Sequence, residues 1–452
     1  MGAPADVWHE LLRPEVELQP AFWDDLASRM RAARLTFGDR LHCPFLRPLF
    51  LEPGDVRRVT EVAEVLWRVG ERVAAAALSD RALMDAVALT EDERRLVALD
   101  PGYATASTAS RLDGFLLPDR LSFAEYNAES PAGLGYTERL SALFAELPVM
   151  ERFKEVFSAE SFLLVPALLE ALVASYREWG GTADPPVLLI VDFRGVPTWS
   201  EFEILASRFE ALGVPAVVAD PRDLVFEGGA LVAAGRRVDL VYRRLLINDI
   251  VAQPDDCAPL VEAYAARAVC VANTFRCKIP HKKAFFAVLT SDEHTGLLSD
   301  AERTLVRAHV PWTRLLAEGR TTLDGHVIDL LEHVRRHRDE FVIKPNAEYG
   351  GAGVVLGWEA GEAAWTAALE RGISGAEGSW VVQRRIPVRR EVFPMVTTPH
   401  RVELRDMLVD LAPYIFRGRV AGFLTRLSST GLANVTSGGG QVPSFVVAPR
   451  SG

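Results

Sequence analysis

The chain of 452 residues is 49% hydrophobic and 25% charged, and its formal net charge at pH 7 is -11. This length and composition predict a globular protein of about two to four packed subdomains with a large core. The acidic balance argues against nucleic acid as a partner, because phosphate backbones are bound by basic surfaces. It does not exclude a nucleotide, which needs only a local basic site.

Nothing in the sequence indicates export or membrane insertion. The N-terminus lacks the basic and then apolar pattern of a signal peptide, and the most apolar helical stretch, 162–176, is interrupted and too short to span a bilayer. The four cysteines have no paired metal-ligand spacing, which fits free thiols in a reducing compartment. We therefore expect a cytoplasmic protein with no membrane partner.

Residues 1–105 are predicted to be mostly helical. Val56–Leu78 carries apolar residues at helical spacing, and Thr90 with Glu93 has the spacing of a capping box in front of a further apolar run. No candidate chemistry is found here, and we interpret this region as a helical cap.

The stretch 107–131 contains two strand-like runs joined by a Pro-Asp turn. Alternate residues of a strand share a face, so Arg111 lies with Asp113 and Glu125 with Asn127. If the runs pair, one patch holds two carboxylates, an amide oxygen and a guanidinium. Carboxylates suit a magnesium ion that also binds phosphate oxygens, and an arginine suits a phosphate or acyl phosphate. The alternative is a solvated hairpin whose charges face outward.

The middle of the chain alternates strands and helices. A buried-strand pattern at 187–192, an amphipathic helix at 198–212 and a strand at 216–220 form a strand–helix–strand unit, which predicts a parallel sheet. Arg243 and Arg244 follow another short strand. They could meet an anionic ligand at the strand's end, or they could be plain surface charges.

Lys283 is predicted at the start of a helix, where its charge opposes the helix dipole. That small cost points to a ligand anion. The alternative interpretation is an ordinary surface lysine.

The segment 341–357 is the most informative loop. An apolar strand delivers Lys344, and a second apolar strand follows the loop. Glycines allow backbone N–H groups to approach phosphate oxygens closely. The pattern is neither a P-loop nor a Rossmann fingerprint, because no helix follows. It predicts a flap over a triphosphate, with a glycine-rich hairpin turn as the alternative. The loop glycines are Gly350, Gly351 and Gly353.

Two later segments add weaker signals. The apolar strand at 379–387 ends in Gln383 and Ile386, which could present backbone groups to an adenine edge, although alone it is only a strand. The stretch 434–440 is a second polar, glycine-rich loop.

The order of these motifs resembles the circularly permuted ATP-grasp family, which includes the synthetase domain of glutathionylspermidine synthase. Lys283, the lysine-led glycine loop and the 381–386 strand resemble the nucleotide half of an ATP-grasp enzyme. In ordinary ATP-grasp ligases the metal ligands follow that half, whereas here the Arg-x-Asp and Glu-x-Asn pairs precede it. The resemblance covers about residues 80–447 and implies an α/β (α+β) ATP-grasp fold in circularly permuted order.

The same resemblance implies a domain organisation. It includes an N-terminal helical region and a parallel βαβ unit of pre-ATP-grasp type. We expect boundaries at 1–105 for the helical cap, 106–182 for the permuted metal-site segment, 183–255 for the α/β substrate unit and 256–452 for the nucleotide-binding lobes.

Residue roles follow from the resemblance in three groups. The ligands of two magnesium ions would be Asp113, Glu125 and Asn127, and Arg111 would stabilise the transferring phosphoryl group. ATP would be held by Lys283, Lys344, Gly350, Gly351, Gly353, Gln383, Arg384 and Ile386. Substrate would be met by Ser130, Arg194, Arg243, Arg244 and Asn434.

Two details depart from the family pattern or leave an assignment open. Ala352 stands where related loops often carry a basic residue, which would weaken phosphate affinity. Lys282, next to Lys283, is an alternative first ATP lysine.

The implied activity is that of an ATP- and Mg²⁺-dependent ligase joining a small-molecule or peptide carboxylate to an amine, with release of ADP and phosphate. A non-catalytic nucleotide-binding or scaffold protein of the same fold is the first alternative. A small-molecule kinase is the second, because the same site could phosphorylate a hydroxyl.

Overall fold

The computed structural model describes residues 3–18, 21–37, 40–348, 350–376, 378–398, 401–431 and 439–450. Among its helices, none has both the length and the apolar character needed to cross a membrane.

The N-terminal region is mainly helical, as its apolar periodicity predicts. The expected helix over Val56–Leu78 is present. The capping box also forms, because the side chains of Thr90 and Glu93 each accept a hydrogen bond from the other residue's backbone N–H. Its elements are α1 (Pro4–Leu18), α2 (Phe22–Ala32), β1 (Thr36–Phe37), β2 (Arg40–Leu41), β3 (Leu49–Leu51), α3 (Pro53–Ala77), α4 (Arg81–Val87) and α5 (Glu91–Ala98). One face of α3 buries Val59, Val62, Leu66, Val69 and Val73 in the largest hydrophobic core.

The predicted hairpin is the next feature and leads into a helical layer. The elements are β4 (Ala109–Leu116), β5 (Leu121–Asn127), α6 (Leu134–Ala145), α7 (Pro148–Val156), β6 (Phe157–Glu160) and α8 (Leu164–Glu178). All eight residues of β4 are buried, because the strand lies inside a sheet and is covered by α3.

The expected strand–helix–strand unit is confirmed and forms part of a four-stranded parallel sheet in the order β13-β12-β7-β8. The elements are β7 (Leu188–Val191), α9 (Trp199–Ala211), β8 (Ala216–Ala219), β9 (Val225–Glu227), β10 (Ala230–Ala233), β11 (Arg236–Arg237), β12 (Leu240–Arg243), α10 (Ile247–Ala252), α11 (Pro254–Ala265) and β13 (Cys270–Ala272). The apolar strand residues are buried on both faces, as expected of a parallel sheet.

A separate antiparallel sheet, in the order β14-β19-β17-β18, carries the lysine-led loop. Its region comprises α12 (Lys278–His281), α13 (Ala284–Thr290), α14 (Asp300–His309), β14 (Thr313–Leu315), β15 (Arg320–Leu323), β16 (His326–Asp329), α15 (Leu330–Arg336), β17 (Phe341–Pro345), β18 (Val355–Leu356), α16 (Glu362–Ser374) and β19 (Trp380–Arg384). Trp365 and Trp380 fill its own small core.

The C-terminal strands return to the hairpin. They are β20 (Arg389–Thr398), β21 (Arg401–Phe416), β22 (Arg419–Ser428), β23 (Gly440–Val442) and β24 (Ser444–Pro449). The six-stranded sheet runs β23-β22-β21-β4-β5, with β20 also paired to β21. Tyr414 of β21 lies opposite Arg111 of β4, so strands from the two ends of the chain complete one sheet. This pairing places the early polar hairpin beside the late strands.

Candidate active site

The hairpin register builds the predicted polar patch. Arg111 lies opposite Asn127, and Asp113 lies opposite Glu125, just before a β-bulge at Gly114. Residues directly opposite each other in an antiparallel pair project from the same face of the sheet. All four side chains therefore line one surface. The alternative interpretation, a solvated hairpin whose charges face outward, is wrong, because Arg111 and Asp113 are buried.

That surface faces the lysine-led loop across a cavity of about 490 Å³. Most of the predicted site residues line this cavity: Arg111, Asp113, Glu125, Asn127, Ser130, Arg244, Lys283, Lys344, Gly350, Gly351, Gln383, Arg384 and Ile386. The hairpin and the lysine-led loop, which lie far apart in the sequence, therefore line the same cavity.

Lys283 faces the cavity, and Lys282 does not. The Lys283 ammonium lies 3.7 Å from a Glu125 carboxylate oxygen and also donates to the backbone carbonyl of Glu348 in the loop. Lys282 is buried and pairs with Glu93 at 2.8 Å, on the side of the helical cap. Packing of α12 against α3 and α5 sends the two neighbouring side chains in different directions.

Lys344 projects from β17 into the same cavity. Its ammonium donates to Gln383 Oε1 at 2.6 Å and to the Ala124 carbonyl of the hairpin at 3.2 Å. Gln383 in turn donates to Thr313 Oγ1 at 3.1 Å, which fixes its amide. Burial lowers the pKa of Lys344 to about 8, although the Glu125 charge opposes the shift.

Asp113 belongs to a buried ion network. Arg111 donates to both of its carboxylate oxygens, at 2.7 and 3.3 Å, and Arg426 of β22 donates at 2.6 Å. Burial alone would raise the pKa of Asp113, but these two guanidiniums outweigh it and hold the pKa well below its usual range. Asp113 is therefore an anion inside the protein.

Asp410 completes the network from β21. It accepts from Arg426 at 2.6 Å and from the Gly114 backbone N–H at 3.1 Å. Burial raises the pKa of Asp410 above its usual range, the Asp113 charge adds to the shift, and Arg426 opposes it. Two neighbouring buried carboxylates thus have different proton affinities.

The oxygen donors of the patch fit magnesium in chemical type. Among the residues that the structure describes, no group of three or more acidic, histidine or cysteine side chains is close enough to hold a metal ion by itself. Asn127 donates its amide N–H to Glu125 at 3.3 Å, which leaves the amide oxygen as a donor atom for a metal. Such a site suits a cation whose remaining ligands come from phosphates and water.

The loop positions favour glycine for different structural reasons. Gly350, Gly351 and Gly353 all have positive φ, at 64°, 80° and 71°. A Cβ at Gly353 would lie 2.6 Å from Pro345 Cγ, whereas a Cβ at Gly350 would meet no atom of the described residues within 4 Å. Gly353 supports the loop by close packing rather than by lining the cavity.

Two predicted substrate residues do not reach the cavity. Arg243 is fully buried and pairs with Glu129 at 3.1 Å, because the end of β12 points it into the interior. Arg194 is largely exposed and pairs with Asp223 at the protein surface. Of the neighbouring pair, only Arg244 lines the cavity; it donates to the Pro131 carbonyl at 2.7 Å. Asn434 lies outside the described residues.

The cavity also contains polar residues that the sequence did not reveal as site residues. Asp410 is the one charged residue in the buried part of β21, 407–416, and Arg426 is the one charged residue of β22 beyond Arg419; that isolation was the available signal. Asp192 follows the buried strand β7 and also lines the cavity. Burial raises its pKa to about 6.

Comparison with known proteins identifies the family. Residues 119–435 match the model of the circularly permuted ATP-grasp type 2 family, and the chain belongs to this family. The motif-based resemblance and the expected fold class are confirmed. Arg111 and Asp113 precede the matched range.

The chain matches only part of the length of its relatives. A Frankia casuarinae protein named putative glutamate–cysteine ligase 2-2 is 28% identical over 301 residues, which cover 62% of this chain and 32% of that protein. An uncharacterized protein of Mycobacterium tuberculosis is 26% identical over 351 residues, covering 72% of this chain and 58% of the relative. The match spans about a third of the length of the Frankia protein.

A solved structure shares the fold over nearly the whole chain. The glutathione synthetase-like effector of Globodera pallida, in its apo form, has a TM-score of 0.61 and covers 96% of this chain and 97% of its own. The identity of 12% limits this likeness to the fold.

Proposed function

We propose that this protein is an ATP- and Mg²⁺-dependent carboxylate–amine ligase that forms an amide bond through an acyl phosphate and releases ADP and phosphate. One observation carries the proposal. The carboxylate patch of the hairpin and the lysines of the nucleotide sheet line the same cavity, with Lys283 and Glu125 3.7 Å apart.

The side of the cavity formed by Lys283 and the nucleotide sheet suits both parts of a nucleotide. Lys283, Lys344 and the backbone N–H groups of the glycine loop would neutralise the phosphates. The segment from Gln383 to Ile386 would present backbone groups to the adenine. Phosphoryl transfer depends on positioning and charge neutralisation more than on a protein nucleophile, which matches a site rich in cations and carboxylates.

Asp113, Glu125 and Asn127 would hold magnesium. Magnesium, when bound there, would supply positive charge that offsets the charge developing on the transferred phosphoryl group. Arg111 would stabilise the transferring phosphoryl group while its contact with Asp113 keeps it in place. Arg426, bonded to both Asp113 and Asp410, would preserve the ionised state of Asp113.

The chemistry proceeds in two displacements. A substrate carboxylate oxygen attacks the γ-phosphorus of ATP, and the bond to the β-phosphate oxygen breaks to release ADP. The amine nitrogen then attacks the acyl carbon, phosphate leaves, and the nitrogen loses a proton. The glycine loop would exclude water, which otherwise hydrolyses the acyl phosphate.

Substrates would enter at the end of the cavity lined by Ser130 and Arg244. A buried guanidinium at this position suits a second carboxylate on the acid substrate. The name of the Frankia relative supports amino acids as the first compounds to test.

The test is an ADP-release screen against panels of carboxylates and amines, with mass spectrometry of the products. We expect ADP formation to require one carboxylate and one amine and to yield a product lighter than the two substrates by one water. A stable phosphorylated product formed without amine would indicate a kinase, and ATP binding without ADP release under any pairing would indicate a non-catalytic protein.

A further inference from the structure

A second cavity, of about 930 Å³, adjoins the nucleotide cavity. It is bounded by the start of β5, the end of α13, α14, β14 and the β15–β16 turn. Arg384, Arg385 and Ile386 line both cavities and form a shared wall. We refer to the larger space as the arginine cavity.

The lining of the arginine cavity is strongly cationic. Its two acidic residues are Asp292 and Asp324. Its arginines are Arg120, Arg303, Arg307, Arg314, Arg384 and Arg385. The whole chain carries a net charge of -11, so this local positive charge opposes the general balance of the protein. Charge of one sign that collects in a concave surface attracts ligands of the opposite sign.

Several of these guanidiniums have no strong carboxylate partner. Arg314 donates to the carbonyls of Thr290, Thr313 and Thr322 and stacks on Trp312 at 4.8 Å, with no acid within ion-pair distance among the described residues. Arg307 lies 3.9 Å from Asp292, but both side chains are more than 60% exposed. Such an exposed pair is weak and easily exchanged for another anion.

Arg120 stands at the turn between β4 and β5. Its side chain is exposed, and no ion pair of the described residues involves it. Hydroxyl groups of Ser122, Ser291 and Thr322 line the same space and can donate to oxyanions.

We propose that the arginine cavity binds a compact polyanion, either a phosphate ester or a polycarboxylate, at a site separate from the nucleotide phosphates. Guanidinium groups recognise both anions through paired N–H···O bonds. Because Arg384–Ile386 forms a wall of both cavities, occupancy of one changes nucleotide affinity in the other. This coupling rests on the proposed nucleotide site, whereas anion binding itself does not.

The test uses isothermal titration calorimetry with inorganic pyrophosphate and, separately, citrate. The full chain is first saturated with a non-hydrolysable ATP analogue and excess Mg²⁺, so that the nucleotide phosphate site is filled. We expect one of the anions to bind the wild type. The tighter of the two identifies the ligand as phosphate or carboxylate in type.

Matched variants locate the binding. We expect the Arg120→Gln/Arg307→Gln double variant to bind the anion about fivefold more weakly, because it loses two exposed charges. Arg335→Gln, an exposed arginine on α15, is the control and should bind as the wild type does. Unchanged unfolding temperatures would show that both variants fold. No binding of either anion at millimolar concentration, or equal affinity in the double variant, would overturn the site.

Coupling is measured by titrating the ATP analogue with and without the anion. At one fixed anion concentration we expect a several-fold change in the wild type and a smaller change in the double variant; equal affinities with and without the anion in the wild type would overturn the coupling. If the analogue itself does not bind, the proposed nucleotide function fails. Titration of the anion into the nucleotide-free protein then still tests whether the arginine cavity binds an anion.

Discussion

The ammonium of Lys283 lies 3.7 Å from the carboxylate of Glu125, which joins the start of α13 to the β4–β5 hairpin. Neither side chain is fully buried, so solvent or a phosphate can compete for the contact. The pair marks where a nucleotide would lie between the two segments.

Removing the Lys344 charge should weaken nucleotide binding more than it weakens the fold. Lys344→Met deletes a buried ammonium that would bond a phosphate, and we expect the Kd for ATP to rise by about tenfold or more. Stability should change less, because burying the ammonium is itself costly. Calorimetry and thermal unfolding without ATP measure the two effects. Lys154→Met, on α7 away from the cavity, is the control, and unchanged ATP affinity in Lys344→Met would contradict the assignment.

Nucleotide affinity should also depend on pH through Lys344. Its pKa is lowered to about 8, so the ammonium is charged below that pH and neutral above it. Phosphates bind the charged form, and binding above pH 8 must first restore the proton. Affinity should therefore fall as pH rises from 7 to 9, approaching about tenfold per unit at the upper end. Lys344→Arg keeps its charge and should flatten the profile. A flat wild-type profile would refute this prediction.

Two carboxylate variants should separate catalysis from stability. Glu125→Gln changes a partly exposed side chain, so we expect loss of ADP release with a stability change within about 0.5 kcal/mol. Asp113→Asn also abolishes ADP release, but it leaves Arg111 without its buried anion and Arg426 with Asp410 alone, and it should cost about 3 kcal/mol. Urea unfolding and an ADP assay test both. Wild-type ADP release in either variant would remove that residue from the metal site.

The loop glycines provide a matched pair. Gly350→Ala and Gly353→Ala both place a side chain at positive φ, which costs about 1–2 kcal/mol in each case. Only Gly353→Ala adds a clash, because its Cβ would lie 2.6 Å from Pro345 Cγ, which belongs to a rigid ring. We expect Gly353→Ala to weaken ATP binding several-fold more than Gly350→Ala. Titration of the ATP analogue compares them, and equal losses would show that packing on Pro345 is unimportant.

The local features of this protein could be predicted from its sequence alone. Alternation within 107–131 placed four polar residues on one face, and the lysine-led glycine loop indicated a phosphate flap; both patterns depend only on neighbouring residues. The order of these motifs along the chain also indicated the permuted family. The hairpin register confirms the shared face, and the family match confirms the family, whereas the phosphate flap stays a prediction.

Which residue of an adjacent pair faces the cavity could not be predicted, because it depends on packing between distant segments. Arg243 enters the interior while Arg244 reaches the cavity, and Lys282 turns to Glu93 while Lys283 turns to Glu125. Asp410 and Arg426 likewise became site residues through the pairing of β21 with β4 and β22. The direction of a side chain is set by the strands and helices packed around it, and those come from distant parts of the chain.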